Sequence, residues 1–327
     1  MITRRGLARL GGMLALPALI GRAALAQPAW PNRPVTMVVP WAAGGGADTV
    51  TRIFTMGFER EVGQPVNVVN RTGGNGIVGH SSISNAQPDG YTIGCGTSEF
   101  VNFKALGLSD IGPDSFELIS RIASIPAGVM VKANGPWKDW PSFVAGLKEG
   151  RKGQYTGSGV STGGSWHLAA AGMTKALGME ADRIRWVPSI GGAPALQDLA
   201  AGGISVFTGS PIEARPLVEA GQVRVLAVMA DERMATFPDV PTLKELGLNW
   251  TYANWFSLVA PPKLNPSARE RIIELAKRAH ARPEVQTVTK DRGIVPVWDT
   301  PEEFKAYIKT FGESSATLLR ELGLSRA

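Results

Sequence analysis

At 327 residues the chain has room for about two domains of ordinary size, each with a substantial core. Hydrophobic residues make up 44% and charged residues 19%, a globular balance that excludes a disordered chain and a multi-span membrane protein. The formal charge of +6 does not mark a nucleic-acid binder, because four of its arginines fall in residues 1–26 and no run of lysines and arginines follows.

Residues 1–26 read as a targeting segment. Arg4, Arg5 and Arg9 give a positive start, the stretch 10–20 is apolar, and Ala24-Leu25-Ala26 forms a small-residue cleavage site. Thr3-Arg4-Arg5-Gly6-Leu7 resembles a twin-arginine signal, with an ordinary Sec signal as the alternative. Either implies export, and cleavage would leave a net charge of +2. The single cysteine, Cys95, permits no internal disulfide and reads as a small core residue.

Val35–Val39 is β-branched and apolar and predicts a strand. Over 48–62, Val50, Ile53, Phe54 and Phe58 recur at helical spacing. Between the two lies Trp41-Ala42-Ala43-Gly44-Gly45-Gly46-Ala47-Asp48, where three consecutive glycines imply that a bare backbone is required. Asp48 is placed to cap the helix, a contribution of about 1 kcal/mol. A strand over 66–69, the loop Gly73-Gly74-Asn75-Gly76, a short helix from Ile77 and a strand over 91–95 follow.

The pattern restarts with a strand over 127–132, a helix over 140–149 and strands over 183–187 and 204–208. Gly157-Ser158-Gly159-Val160-Ser161-Thr162-Gly163-Gly164-Ser165 leads into a helix over 167–177. Gly191-Gly192-Ala193-Pro194 precedes one over 195–201. A strand from Tyr252, a helix over 268–281 and a terminal helix from Pro301 complete the chain. Such alternation predicts an α/β protein with parallel sheets covered by helices. The glycine loops then gather at the carboxyl ends of strands, where helix N-termini offer free amides and a positive dipole end to an anion.

Three enzyme signatures nearly appear. The Gly44 loop lacks the Lys-Ser/Thr of a phosphate loop. Gly74-Asn75-Gly76-Ile77-Val78-Gly79 matches G-x-G-x-x-G, and Glu99 lies about 20 residues beyond, where a ribose-binding acid would stand. An exported oxidoreductase using 74–79 is therefore one alternative. Gly159-Val160-Ser161-Thr162-Gly163 matches G-x-S-x-G, so a serine hydrolase at Ser161 is another, although no strand runs directly into the motif and His280 sits in a basic, solvated-looking helix. The three histidines, 80, 167 and 280, are too scattered for a metal site. His167 either hydrogen-bonds the serine loop or lines a cleft. Of the nine tryptophans, Trp41 and Trp166 abut glycine loops, and Trp41 is the stronger candidate for a pocket wall.

Taken together, these segments resemble the Bug-type (TctC-like) extracytoplasmic receptors of tripartite tricarboxylate transporters. The residues that carry the resemblance are Val38-Val39-Pro40-Trp41-Ala42-Ala43-Gly44-Gly45-Gly46-Ala47-Asp48, Asn70-Arg71-Thr72-Gly73-Gly74-Asn75-Gly76, Pro88-Asp89-Gly90-Tyr91, Ser165-Trp166-His167-Leu168-Ala169, Gly191-Gly192-Ala193-Pro194, Phe237-Pro238-Asp239-Val240-Pro241-Thr242 and Thr300-Pro301-Glu302-Glu303-Phe304. They run in order through nearly the whole chain after residue 26. The resemblance implies a type II periplasmic-binding fold, with domain 1 over 27–126 and 252–327, domain 2 over 127–251, and a ligand cleft between them. It implies a monomeric, non-enzymatic receptor with no metal or cofactor, which closes on a small organic carboxylate and delivers it to membrane permease subunits. The implied ligand loops are Trp41, Ala42, Ala43, Gly44, Gly45, Gly46 and Asp48; Thr97, Ser98 and Glu99; Ser158, Ser161, Thr162, Gly163, Ser165 and His167; and Gly191, Gly192 and Ala193.

The chain departs from the family's pattern at informative places. Ser189-Ile190 replace a common Tyr-Lys, Trp166 a serine, Trp41 a phenylalanine and Glu99 a small residue. An acid beside an anion site repels a di- or tricarboxylate unless it points away or meets a ligand amine. The expectation is a ligand with one carboxylate and an apolar or aromatic body.

Overall fold

Strand β1 (Val35–Val39) buries four of its five side chains and runs through the glycine loop into helix α1 (Gly46–Val62). The α1 stripe of Val50, Ile53, Phe54 and Phe58 packs into the same core, which is why the helical spacing was visible in sequence. The structure is a computed structural model that describes residues 30–189 and 191–326; the targeting segment lies outside the described residues. Next come β2 (Val66–Asn70), α2 (Ile77–Ser84), β3 (Thr92–Thr97) and β4 (Glu117–Pro126). The chain then builds β5 (Gly128–Lys132), α3 (Trp140–Glu149), β6 (Thr156–Ser158), α4 (Ser165–Ala176), β7 (Arg185–Trp186), α5 (Gly192–Ala201), β8 (Val206–Gly209), α6 (Pro211–Glu219) and β9 (Val223–Val228). It returns through β10 (Ala253–Ala260), α7 (Pro266–His280), α8 (Pro283–Asp291), β11 (Val295–Pro296) and α9 (Pro301–Glu321). Among the described residues no helix is long and apolar enough to cross a membrane.

The strands form two sheets, ordered β11-β4-β10-β3-β1-β2 and β7-β6-β8-β5-β9. The β1 strand lies parallel to β2 and β3, and β6 parallel to β7 and β8, as strand–helix–strand units require. By contrast, β10 is antiparallel to β3 and β4, and β5 is antiparallel to β8 and β9. Both sheets are therefore mixed, which corrects the expectation of parallel ones. The reason is topological: β5 and β10 arrive from the other sheet and enter against the direction of their neighbours.

Only Ala127 separates β4 from β5. Its amide donates to the Tyr252 carbonyl at 2.9 Å, and its carbonyl accepts from the Met229 amide at 2.7 Å. The two crossing connections thus lie hydrogen-bonded side by side, a narrow join of the kind that absorbs hinge motion. Helix α9 spans both halves. Its Phe304 and Ile308 pack with Phe100, Phe103 and Trp255, whereas its Leu318 and Leu319 pack with Leu168 and Tyr252 in the core under the second sheet. A 21-residue helix is about 31 Å long, enough to reach across.

Candidate functional site

The Gly44 loop turns because Gly44 adopts φ +82°, a left-handed conformation that side chains resist. Gly45, extended at φ −76° and ψ 175°, is the cap of α1. Asp48, expected to cap the helix, instead stands in its first turn, and its Oδ2 accepts the Gly44 amide at 2.9 Å. Arg52 Nε at 3.0 Å and Asn70 Nδ2 at 2.9 Å hold the same carboxylate. Burial pushes the Asp48 carboxyl up, but the bonds from Arg52, Gly44 and Asn70 outweigh it and hold the pKa below the usual value. Asp48 therefore takes one amide out of use and tightens the turn. The first-turn amides of Gly46 and Ala47 meet no acceptor among the described residues.

Those amides border a cavity of about 150 Å³. Trp41, Ala42, Gly45, Gly46 and Glu99 line it from one side, and Trp166, Gly191 and Gly192 from the other. Gly192 opens helix α5, so two helix N-termini from opposite sheets meet at one space. Trp41 is fixed there: its Nε1 donates to Thr97 Oγ1 at 3.2 Å, and its ring lies so close to Gly76 that a Cβ would stand 3.2 Å from Cζ2. Fully buried Thr97 thus holds the wall in place from behind it.

Two histidines, of which only His167 was expected at the site, support the loops from behind. His167 Nδ1 accepts the Gly163 amide at 2.9 Å, and its ring stacks on Trp186 at 4.7 Å. Burial pushes its pKa down to about 4, so it is a neutral acceptor and, of the two roles open to it, takes the one that ties the serine loop. His80 does similar work on the first domain, with Nδ1 against the Gly76 carbonyl at 2.8 Å and Nε2 accepting the Thr97 amide at 3.3 Å. Its pKa also falls to about 4 through burial.

Glu99 and Ser165 meet across the cleft, Ser165 Oγ donating to Glu99 Oε1 at 2.8 Å. Glu99 Oε2 is buried with no partner among the described residues. Ser98 is also buried and donates to Asn254 Oδ1 at 2.6 Å. Ser158 lies buried in β6 opposite Phe207. Ser161 and Thr162 border a separate depression with Asn75, Leu108 and Arg326. Gly163 packs toward Leu106, where a Cβ would stand 2.7 Å from Cδ2. Ala43 and Ala193 are exposed beside their loops.

The sequence reading missed part of the wall. Ile125, Asn254 and Phe256 come from the crossing strands β4 and β10, Val160 from the serine loop and Glu213 from the first turn of α6. Glu213 carried a faint signal, since Gly209-Ser210-Pro211 is again a strand end leading into a helix start. The cleft leaves Glu213 exposed to solvent, yet its depth between the domains desolvates the carboxyl and pushes the pKa up to about 7.

The enzyme alternatives find no matching geometry. Gly76 is covered by Trp41, and a Cβ on Gly79 would lie 2.4 Å from the Pro40 Cα, so the 74–79 loop is packed rather than open to a pyrophosphate. Ser161 Oγ bonds no imidazole among the described residues. His280, expected to be solvated, is buried with Nε2 at 3.0 Å from the Ile122 carbonyl. A larger cavity of about 710 Å³ lies by the hinge, bordered by Arg121, Met229, Tyr252 and Tyr307. Three cations border it: Arg121 pairs with Asp299 at 2.8 Å and covers the Tyr307 ring, Arg233 pairs with Glu245 at 3.0 Å, and Lys290 makes no ion pair among the described residues.

Comparison with known proteins fits this architecture. Residues 50–324 match the family described as Tripartite tricarboxylate transporter family receptor. Among relatives, a protein from the tcbD-tcbE intergenic region of Pseudomonas sp. (strain P51) is 30% identical, with 91% of this chain and 88% of that protein covered. BugT of Bordetella pertussis is 27% identical, with 90% of each chain covered. Among solved structures, the periplasmic binding protein BugD matches with a TM-score of 0.78 at 26% identity, covering 90% of this chain and 99% of that one. MatC of Rhodopseudomonas palustris, solved with bound malate, matches with a TM-score of 0.76 at 25% identity, covering 89% and 100%. An R. palustris protein solved with adipate matches at 0.78 and 25%, covering 90% and 99%. Two mixed α/β domains joined by crossing strands around a cleft, and a family match over most of the length, make this chain a solute-binding receptor of the tripartite tricarboxylate transporter family.

Proposed function

We propose that the protein captures a small organic carboxylate in the cleft, closes over it, and presents it to membrane permease subunits of a tripartite transporter. The observation that carries this reading is the convergence of the α1 and α5 N-termini on one cavity from opposite domains. A carboxylate there would accept amides from both walls, each helix end contributing about 0.3–2 kcal/mol beyond its hydrogen bonds. Micromolar affinity requires about 8 kcal/mol, so burial of the ligand body supplies much of the rest. The cavity suits a single carboxylate on an apolar or aromatic body: Trp41, Trp166, Ile125 and Phe256 surround it, and its size resembles a cavity of about 150 Å³ that holds benzene.

In this reading the domains run over 27–126 with 252–327 and over 127–251, the chain acts as a monomer, and residues 1–26 direct it to the periplasm. Binding returns the solute unchanged. The test is a thermal-shift panel of small carboxylates on purified protein, malate and adipate included. At least one should raise the melting temperature in a saturable way and be recovered intact. A panel with no shift, or with the ligand chemically altered, would overturn the reading.

A further inference from the structure

We propose that the ligand of this cavity carries a protonated amine as well as a carboxylate, and that Glu213 and Glu99 receive the amine. The inference rests on the carboxylate reading above and narrows it to a class, small amino acids. Among the described residues lining the cavity there is no lysine, arginine or histidine, but there are two acids, one from each domain. Glu99 is only 7% exposed, one oxygen bonded to Ser165 and the other unpartnered. An orphaned carboxylate oxygen at that depth is costly unless a donor reaches it.

Glu213 is placed still more pointedly. Its carboxylate lies against the α-carbon of Gly192, where a Cβ would stand 1.8 Å from Oε2, and a Cβ on Gly46 would stand 4.0 Å from Oε1. It therefore sits between the two helix starts, and no hydrogen bond or ion pair engages it among the described residues. A ligand with carboxylates alone would bring like charges together here. An ammonium–carboxylate ligand would give its anion to the helix amides and its cation to the acids, so that both of the ligand's own charges meet an opposite partner.

The ionisation of Glu213 gives the idea a second readout. Its pKa of about 7 means that it loses its proton across the neutral range. An ammonium favours the ionised acid, so affinity rises from pH 6 to pH 8, by up to about tenfold per unit below the pKa. A plain carboxylate favours the neutral acid, so its affinity falls. The other ionisable groups around Glu213 are Glu99 across the cavity and Asp48 on α1, which is held by Arg52. Asp198 on α5, Arg215 and Glu219 on α6, and Arg224 on β9 are exposed, and Lys132 on β5 is tied to the Ala201 carbonyl.

The experiment is calorimetric titration of matched pairs: alanine against propanoate, and 4-aminobutanoate against butanoate, with malate and adipate as plain diacids. Wild type, Glu213→Gln and Glu99→Gln are compared at pH 6 and pH 8. The proposal expects an aminated member to bind at least about tenfold tighter than its partner, and Glu213→Gln to reduce the preference to about threefold or less. Tighter binding of the plain acids, or a preference unchanged in both variants, overturns it while leaving the carboxylate reading standing. No binding by any probe, aminated or plain, overturns both.

Discussion

Ser165 Oγ donates to Glu99 Oε1 at 2.8 Å across the cleft, a buried hydrogen bond that joins the start of α4 to the turn after β3. Ser165→Ala would leave both oxygens of Glu99 without a donor. The expected loss is about 1–3 kcal/mol of stability, read as a lower melting temperature of the ligand-free protein. An unchanged melting temperature would show that the bond does not hold the domains together.

Gly44 and Gly45 are adjacent but should respond oppositely. Gly44 has φ +82°, so Gly44→Val strains the backbone by about 1–2 kcal/mol even though no atom lies within 4 Å of its Cβ position. Gly45 has φ −76° and a Cβ would meet only the Ala42 carbonyl at 3.4 Å, so Gly45→Val should leave the fold largely intact. Its isopropyl group at the cavity wall should abolish ligand binding. Equal destabilisation by the two variants in a thermal melt would contradict this account.

Gly192→Ala places a methyl carbon where Glu213 Oε2 now lies, 1.8 Å away. Because the obstructing atom ends a flexible side chain, the carboxylate can swing aside at little expense to the fold, less than about 1 kcal/mol. Ligand affinity should nonetheless change about tenfold or more, since the wall between the helix starts is rebuilt. A large fall in melting temperature with binding unaltered would be the opposite outcome.

Acid should loosen the protein through its neutral histidines. His80 and His167 fall from 6.5 to about 4 on burial, so between those values the unfolded chain binds more protons than the folded one. Their contribution is fully present above pH 6.5 and is lost as pH falls toward 4, each shift corresponding to about 3 kcal/mol. His167→Asn, which keeps an acceptor for the Gly163 amide, should flatten the fall. Glu213, raised from 4.5 to about 7, acts the other way over that interval, so Glu213→Gln should steepen it. Melting temperatures from pH 4 to pH 8 on the three proteins check both signs.

Local order was legible where one segment carries its own pattern. Strand β1, the stripe of α1 and helix α3 followed from residue spacing alone, because each buries one regular face. Helix α6 and strands β4 and β9 were not read, and with α6 went Glu213. Strand direction was misjudged for β5 and β10, since nothing local to a strand records which domain it came from. Trp41 and Trp166 stood out by lying next to glycine loops, and the structure puts both on the cavity wall.

The sequence by itself determined the alternating α/β pattern, the glycine-rich helix starts and the family resemblance, since all three are written in short contiguous runs. Only the tertiary structure decided which starts face one another, that His167 holds a loop by accepting its amide, and that Glu99 and Glu213 share a cavity without a cation. Those facts depend on residues far apart in the chain meeting where two domains close. Burial, and hence the protonation of each group, is set by that meeting rather than by any neighbour in sequence.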